Sequence, residues 1–206
     1  MKHALRSVLA AFALLVVASA AFAAPVTYTI DKPHTEVGFD VRHFFSKVHG
    51  RFNDFQGTIV FDEQDPAKIS VDASAVTASV STDNEKRDGH LKTADFFDAE
   101  KFPTLTFKST KVTAAGKNKY KVAGDLTLRG VTKPVVFDVD FLGAGSVGVG
   151  GQSWGTKAGF VATTTINRKD FGINWNKQLD NGGLMLADEV TLTLNIEANQ
   201  VQEEKK

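Results

Sequence analysis

The sequence predicts an all-β chain that folds as an antiparallel barrel of about eight strands with a short helical lid segment. The main observation is an alternation of apolar and polar residues, which is the two-residue period of a half-buried strand. It recurs in eight runs, at 36–42, 55–61, 69–75, 104–109, 120–129, 135–141, 158–166 and 190–197. Turn-forming residues separate several of these runs, at 63–66, 115–118 and 180–183.

The alternation gives every predicted strand one apolar and one polar face. Such strands favour an antiparallel sheet with one face in water. Closing the sheet into a barrel removes its exposed edges. A barrel of about eight strands has room for its own side chains or for one slender ligand. A two-sheet sandwich fits the same alternation and remains the alternative fold.

Three segments depart from the strand pattern. Thr82 to Glu85 has the T-x-x-E form of a capping box, which predicts a helix over 85–94 that covers the mouth of the barrel. A shorter helical turn is expected over 168–171. Residues 143–151 contain five glycines and predict a mobile loop.

The first 23 residues have the layout of a secretory signal peptide. Lys2 and Arg6 precede an apolar run at 9–21, and Ala21-Phe22-Ala23 resembles an A-x-A cleavage site. We therefore expect a signal peptide over 1–23, a single domain over 24–206, and export to the periplasm.

Composition excludes several classes of function. Removal of Lys2 and Arg6 leaves 22 basic residues against 24 acidic ones, a net charge of −2, which argues against a nucleic-acid partner. No apolar run after the signal peptide is long enough for stable membrane insertion. The chain has no cysteine, which excludes thiol catalysis, thiolate metal sites and a lipid-modified N-terminal cysteine.

With these elements placed, the linear pattern resembles the YceI-like family. Four blocks carry the resemblance, at 30–57, 87–107, 124–135 and 158–172, and they include the sequences DKPHTEVGF, RDGHLK, KFPTLTF and GDLTLRGVTKPV. The resemblance implies a lipocalin-like barrel that binds a polyisoprenoid or similar long-chain lipid, without catalysis or a separate cofactor. It also allows a homodimer. Where the family often has a glycine-containing step, this chain has Phe44-Phe45-Ser46.

Phenylalanine is the abundant aromatic residue, with 16 copies against two Tyr and two Trp. Because Phe has no polar group, it either fills a core or lines an apolar cavity. Both interpretations apply to each candidate for the lining: Phe39, Val41, Phe52, Phe55, Phe96, Phe97, Phe107, Leu126, Leu128, Phe137, Phe160, Ile166, Phe171 and Trp175.

Polar candidates are fewer. Arg87 and His90 lie in the predicted lid and are candidates for contact with a lipid head group, because a guanidinium can bind phosphate with two hydrogen bonds. The alternative is that Arg87 fixes the lid through an ion pair or hydrogen bonds. Three other arginines, Arg42, Arg51 and Arg129, are expected to point into solvent.

The sequence contains no motif for a catalytic nucleophile or a phosphate-binding loop. His34, His43, His49 and His90 are irregularly spaced, so structural hydrogen bonds are favoured over a metal site. We therefore expect a carrier for an apolar lipid rather than an enzyme. The alternatives are a metal or redox accessory protein and a stress or interaction protein with a filled barrel.

Overall fold

The computed structural model describes residues 24–202, which form a single β-sheet of eleven strands. The predicted signal peptide lies outside the described residues. The strands are β1 (Val26–Ile30), β2 (Glu36–His43), β3 (Ser46–Phe52), β4 (Phe55–Phe61), β5 (Ser70–Val76), β6 (Val80–Ser81), β7 (Thr104–Gly116), β8 (Lys119–Leu128), β9 (Val131–Val149), β10 (Gln152–Asn167) and β11 (Leu186–Gln200). One α-helix, α1 (Glu85–Leu91), follows β6.

Eight of these strands close into a ring, which confirms the predicted antiparallel barrel. Their order is β1-β4-β5-β7-β8-β9-β10-β11, and β11 pairs again with β1. Seven of the eight alternating runs lie in this ring, and the eighth run is β2. The strand that closes the ring, β1, was not predicted; it pairs through Tyr28 with Gln200 of β11. The sandwich alternative is therefore wrong.

A single turn of 3-10 helix, Lys32–His34, separates β1 from β2, and this point is hereafter called the break. On one side of the break, β1 pairs with the end of β11 at Ala198–Gln200. On the other side, β2 pairs with the beginning of β11, from Leu186 to Asn195. Strands β3 and β6 then extend the sheet beyond β2. The barrel consequently has extra strands in its wall at the end where β11 begins.

A cluster of charges fixes this break. Lys157 Nζ lies 2.7 Å from both Asp31 Oδ2 and Glu197 Oε1, and His34 Nδ1 lies 3.0 Å from Asp31 Oδ2. Only 18% of the Lys157 side chain is exposed. The hydrogen bond from Lys157 holds the pKa of Asp31 below its ordinary value. These contacts join β10, β11 and the break between β1 and β2.

Aromatic residues pack the end of the barrel at which β11 finishes, hereafter the closed end. The Phe61 ring centroid lies 4.5 Å from that of Phe141, 5.3 Å from that of Phe160 and 5.7 Å from that of Tyr120. Offset and edge-to-face contacts at such distances add stability beyond burial alone. Burial also raises the pKa of the Tyr120 hydroxyl.

The predicted mobile loop at 143–151 is wrong, because β9 and β10 continue as a paired arm beyond the closed end. Ala144 pairs with Ala158, and Ser153 pairs with Gly148. Only Gly150 and Gly151 connect the strands, and both have positive φ, as a two-residue type I′ hairpin turn requires. The glycines therefore form bulges and a turn within a hairpin.

The lid helix begins as predicted at Glu85 but ends at Leu91 rather than 94. The predicted capping box is wrong: Asn84 is the N-cap and accepts a hydrogen bond from the Arg87 backbone N–H. Thr82 instead donates both its backbone N–H and its hydroxyl to Asp88. The predicted helical turn is confirmed as the 3-10 helix Arg168–Phe171. Within 24–202, every helix is too short or too polar to cross a bilayer.

The charge cluster at the break generates a stability prediction. Lys157→Met leaves Asp31 and Glu197 without their shared cation, so we expect the free energy of unfolding at neutral pH to fall by about 1–3 kcal/mol. Because the folded pKa of Asp31 lies below 3.8, this ion pair contributes above that pH and is lost as the pH falls through the lowered pKa. In urea denaturation, the deficit of the variant should therefore be constant near neutral pH and should shrink as the pH falls below 3.8.

Lys119→Met is the matched control. Lys119 forms an ion pair with Asp140 on neighbouring strands, but both side chains are more than half exposed. Removing this pair should cost less than about 0.5 kcal/mol. Equal losses in the two variants would contradict the role assigned to Lys157.

Candidate ligand cavity

The inward faces of the strands surround an apolar cavity of about 840 Å³. Small-molecule pockets are typically about 300–1,000 Å³, so this one lies near the upper end of the range. Thirteen of the residues predicted from the sequence to line the cavity are in its wall: Phe39, Val41, Phe52, Phe55, Phe96, Phe97, Phe107, Leu126, Leu128, Phe137, Phe160, Ile166 and Trp175. The barrel is therefore hollow. That these residues contact a ligand remains a prediction.

Phe171 is the predicted lining residue that the structure places elsewhere. It is 2% exposed and packs in the cluster that contains Leu128, Ile166 and Ile173, outside the residues that line the cavity. The 3-10 turn at Arg168–Phe171 directs its ring into that cluster. In this position Phe171 supports the wall from behind.

Two glycines make room for phenylalanine rings against the wall. Phe39 pairs across the strands with Gly50, and a Cβ added to Gly50 would lie 2.2 Å from Phe39 Cζ. In the same way, a Cβ on Gly124 would lie 2.5 Å from Phe107 Cζ. Each ring occupies the space that a side chain on the neighbouring strand would otherwise take.

The lid segment, which consists of α1 and the turns that follow it as far as residue 98, contacts the barrel through aromatic rings. The Phe97 centroid lies 5.5 Å from that of Phe52 and 6.4 Å from that of Phe39. Phe96, His90 and Trp175 form a second group, with centroids 5.0–5.1 Å apart. The lid residues therefore both anchor the lid and form part of the cavity wall.

The cationic side chains and histidines of the wall come from α1, the β2–β3 turn and residues 168–177, and this side of the cavity is hereafter called the mouth. They include Lys86, Arg87, His90, His43 and Lys177, whereas no Asp or Glu among the described residues lines the cavity. Positive charge and hydrogen-bond donors therefore face any head group that lies there.

Arg87 lines the cavity, but its side chain is mostly engaged in the lid. Its Nε donates to Thr82 Oγ1 at 2.6 Å and its Nη2 donates to the Thr82 carbonyl at 2.8 Å. His90 Nε2 lies 2.8 Å from Asp95 Oδ2. These contacts match the alternative in which Arg87 fixes the lid, and they leave Nη1 of Arg87 for a ligand.

Two arginines that the sequence did not identify as important hold the wall of the mouth together. Arg168 is 4% exposed; it donates to the carbonyls of Ile173, Trp175 and Ala187 and pairs with Asp188. Burial lowers the pKa of Arg168. No local signal marks this residue, because its partners are backbone carbonyls and a carboxylate that the fold brings near.

Arg129 corrects the expectation that it points into solvent. Its Nη2 donates to the Ala94 carbonyl at 2.7 Å, and its Nη1 donates to the Gly172 carbonyl. Its Nε is buried without a partner among the described residues. Arg42 and Arg51 are on the surface as expected, and Arg51 makes two hydrogen bonds with Asp83.

Among the described residues, one group that includes a histidine has side chains of the kind that bind metal ions. Asp31, His34 and Glu197 offer ligand atoms within 4.8 Å of one another, but Lys157 forms ion pairs with both carboxylates there. His49 contacts Asp40 at 3.2 Å. These contacts are the structural hydrogen bonds that the irregular spacing favours.

Comparison with known families identifies the chain. The family model of the YceI-like domain matches residues 28–198. The chain belongs to the YceI-like family. This YceI-like protein is 42% identical over 173 residues to a UPF0312 protein of Vibrio cholerae, which covers 82% of this chain and 89% of the relative. It is 45% identical over 166 residues to a UPF0312 protein of Photorhabdus laumondii, covering 79% and 83% of the two chains.

Solved structures share the barrel of this YceI-like protein. The Campylobacter jejuni YCEI protein is 35% identical and superimposes with a TM-score of 0.64, covering 85% of this chain and 98% of that one. Burkholderia cenocepacia BcnA is 25% identical with a TM-score of 0.72, over 82% and 99%. A polyisoprenoid binding domain from Saccharophagus degradans, at 14% identity and a TM-score of 0.62 over 85% and 99%, shares the fold.

The position of Arg129 predicts its effect on the lid. In Arg129→Met, the carbonyls of Ala94 and Gly172 lose charged hydrogen bonds, each contributing about 1.5–3 kcal/mol. We expect the backbone amides of Phe97 and Ile173 to exchange with deuterium about tenfold faster or more. Lys121→Met, which removes an exposed ion pair with Asp138 on the barrel wall, should leave both rates unchanged. Unchanged rates in Arg129→Met would show that the lid is held by its aromatic contacts alone.

Proposed function

We propose that this protein is a periplasmic carrier for a long-chain apolar lipid of the polyisoprenoid type. In this proposal the tail occupies the barrel and the head group stays at the mouth. The observation that carries it is the cavity of about 840 Å³ whose wall contains no carboxylate among the described residues. The shared fold of a polyisoprenoid binding domain supports the same choice of ligand.

The cavity matches a hydrocarbon better than a polar substrate. Each methylene moved from water into such a wall contributes about 0.8 kcal/mol, so a tail of several isoprene units binds without hydrogen bonds. The aromatic residues along the wall, such as Phe107 and Phe137 at 5.1 Å between centroids, offer faces and edges to its double bonds.

The mouth favours a head group that accepts hydrogen bonds or carries negative charge. Lys86 and Lys177 are exposed there, beside His43 and His90. Quinone carbonyl oxygens and polyprenyl phosphate oxygens both satisfy this requirement. We propose binding without chemical conversion of the lipid.

Native mass spectrometry of the mature chain, purified from bacterial envelopes without detergent, tests the proposal. We expect an adduct of constant mass that organic extraction releases as a long-chain isoprenoid. Added polyprenyl phosphate or isoprenoid quinone should raise the melting temperature of the extracted protein, because a ligand that binds only the native state stabilises it. A protein with no adduct and no thermal shift would exclude the lipid carrier.

Leu126→Trp tests the tail site directly. Leu126 is 5% exposed and lines the cavity, so the larger ring takes space from the tail. We expect lipid retention to fall several-fold, with a stability change of about 1–3 kcal/mol. Val136→Trp adds the same ring at a residue 49% exposed and outside the cavity lining, and it should retain lipid normally. Equal retention in both variants would remove Leu126 from the binding surface.

A further inference from the structure

Two loop tips beside the mouth carry exposed apolar side chains. Phe45, at the turn between β2 and β3, is fully exposed, and Leu184, in the loop before β11, is 44% exposed. A fully exposed Phe gains nothing from burial within the chain. Single exposed apolar side chains are common, but apolar side chains grouped in one patch indicate contact with a protein or a membrane.

The fold holds these two tips side by side. The Phe44 backbone N–H donates to the Met185 carbonyl at 3.0 Å, and His43 pairs with Leu186 at the end of the sheet. Phe44 has a φ of 52°, and Arg42 Nη1 donates to its carbonyl at 3.0 Å. The turn is therefore set in a conformation that presents Phe45 outward.

Positive charge lies on the β2–β3 tip and on two other sides of the mouth, whereas the loop that carries Leu184 also contains Asp180. Residues 42–48 contain Arg42 and Lys47 and no carboxylate, and Lys177 and Lys86 lie on the other sides of the mouth. Three carboxylates near the mouth are paired with other side chains: Asp83 with Arg51, Asp95 with His90, and Asp188 with Arg168 and Lys169. The cations at the mouth are thus available to an anionic surface.

We propose that the tips defined by Phe45 and Leu184 dock the mouth on the surface of a bilayer that contains anionic lipid. The two apolar side chains enter the interface, while Arg42, Lys47 and Lys177 face the phosphate groups. Met185 and His43 belong to the same tips and also line the cavity. A lipid can therefore pass between bilayer and barrel without crossing water.

A second exposed apolar group lies at the opposite end of the barrel and provides the control. Trp154, 54% exposed, and Val149, 66% exposed, belong to the β9–β10 arm. The register of β10 places this arm beyond the closed end, because Lys157 pairs with Asn199 whereas Asn167 pairs with Glu189. The lysines at its base, Lys119 and Lys157, are already paired with carboxylates.

Co-sedimentation with large vesicles tests the proposal. The mature protein should bind phosphatidylcholine vesicles containing one quarter phosphatidylglycerol more strongly than pure phosphatidylcholine vesicles. Phe45→Ser should weaken this binding about tenfold through lost apolar burial. Lys47→Gln or Lys177→Gln should weaken it about fivefold, as expected for one basic side chain near an anionic membrane. Trp154→Ser should bind as the unchanged protein does.

Further measurements separate the effect of each substitution on vesicle binding from its effects on folding and on lipid content. Each variant is checked by thermal melting, and Leu184→Ser provides a second test on the other tip. Leu126→Trp, altered inside the barrel, should still bind vesicles, so failure of docking and failure of lipid retention are separate outcomes. Equal binding to both vesicle types, or loss of binding in Trp154→Ser but not in Phe45→Ser, would overturn the proposal.

Discussion

The break between β1 and β2 determines the shape of this barrel. Strand β11 pairs with β1 along its last residues and with β2 along its first ones, so the wall divides at Lys32–His34. Eight strands enclose just enough room for side chains or a slender ligand. At the closed end this room is filled by Phe61 and its aromatic neighbours, whereas at the mouth β2, β3 and β6 add to the wall. The lysine that bridges Asp31 and Glu197 fixes the point of division.

Widening one end leaves irregular segments to complete the wall, and their backbone groups need hydrogen-bond partners. Residues 92–103 and 172–185 lie outside the helices and strands, so their carbonyl groups lack the partners that a sheet or helix provides. Two guanidinium groups supply hydrogen-bond donors to these carbonyls. Arg168 satisfies three carbonyls, and Arg129 joins Ala94 to Gly172 across the lid. A guanidinium suits this task because its several N–H groups point in fixed directions. Mouth stability thus depends on arginines that contact backbone rather than ligand.

The sequence predicted the barrel because seven of its strands alternate over long runs. It missed β1, which is short, and β3, where Gly50 and His49 interrupt the apolar pattern. The arm at 143–151 was mistaken for a loop because glycines carry no side chains from which alternation can be recognised. Most of the residues that face the cavity could be predicted from the alternation. Whether the barrel is filled or hollow could not, because both give the same alternation of apolar and polar residues. The arginine contacts depend on segments that only the fold brings together.

Hollowness depends on pairs of residues rather than on single ones. Phe39 lies over Gly50 and Phe107 over Gly124, so each ring packs against the wall instead of crossing the lumen. The cavity wall lacks the contacts that a filled core would give it, so it forgoes part of the dispersion energy of a packed core. A hydrocarbon tail supplies those missing contacts at the same time as it leaves water. Ligand binding and barrel stability are therefore linked through the same apolar surface, because a ligand that binds only the native state stabilises it.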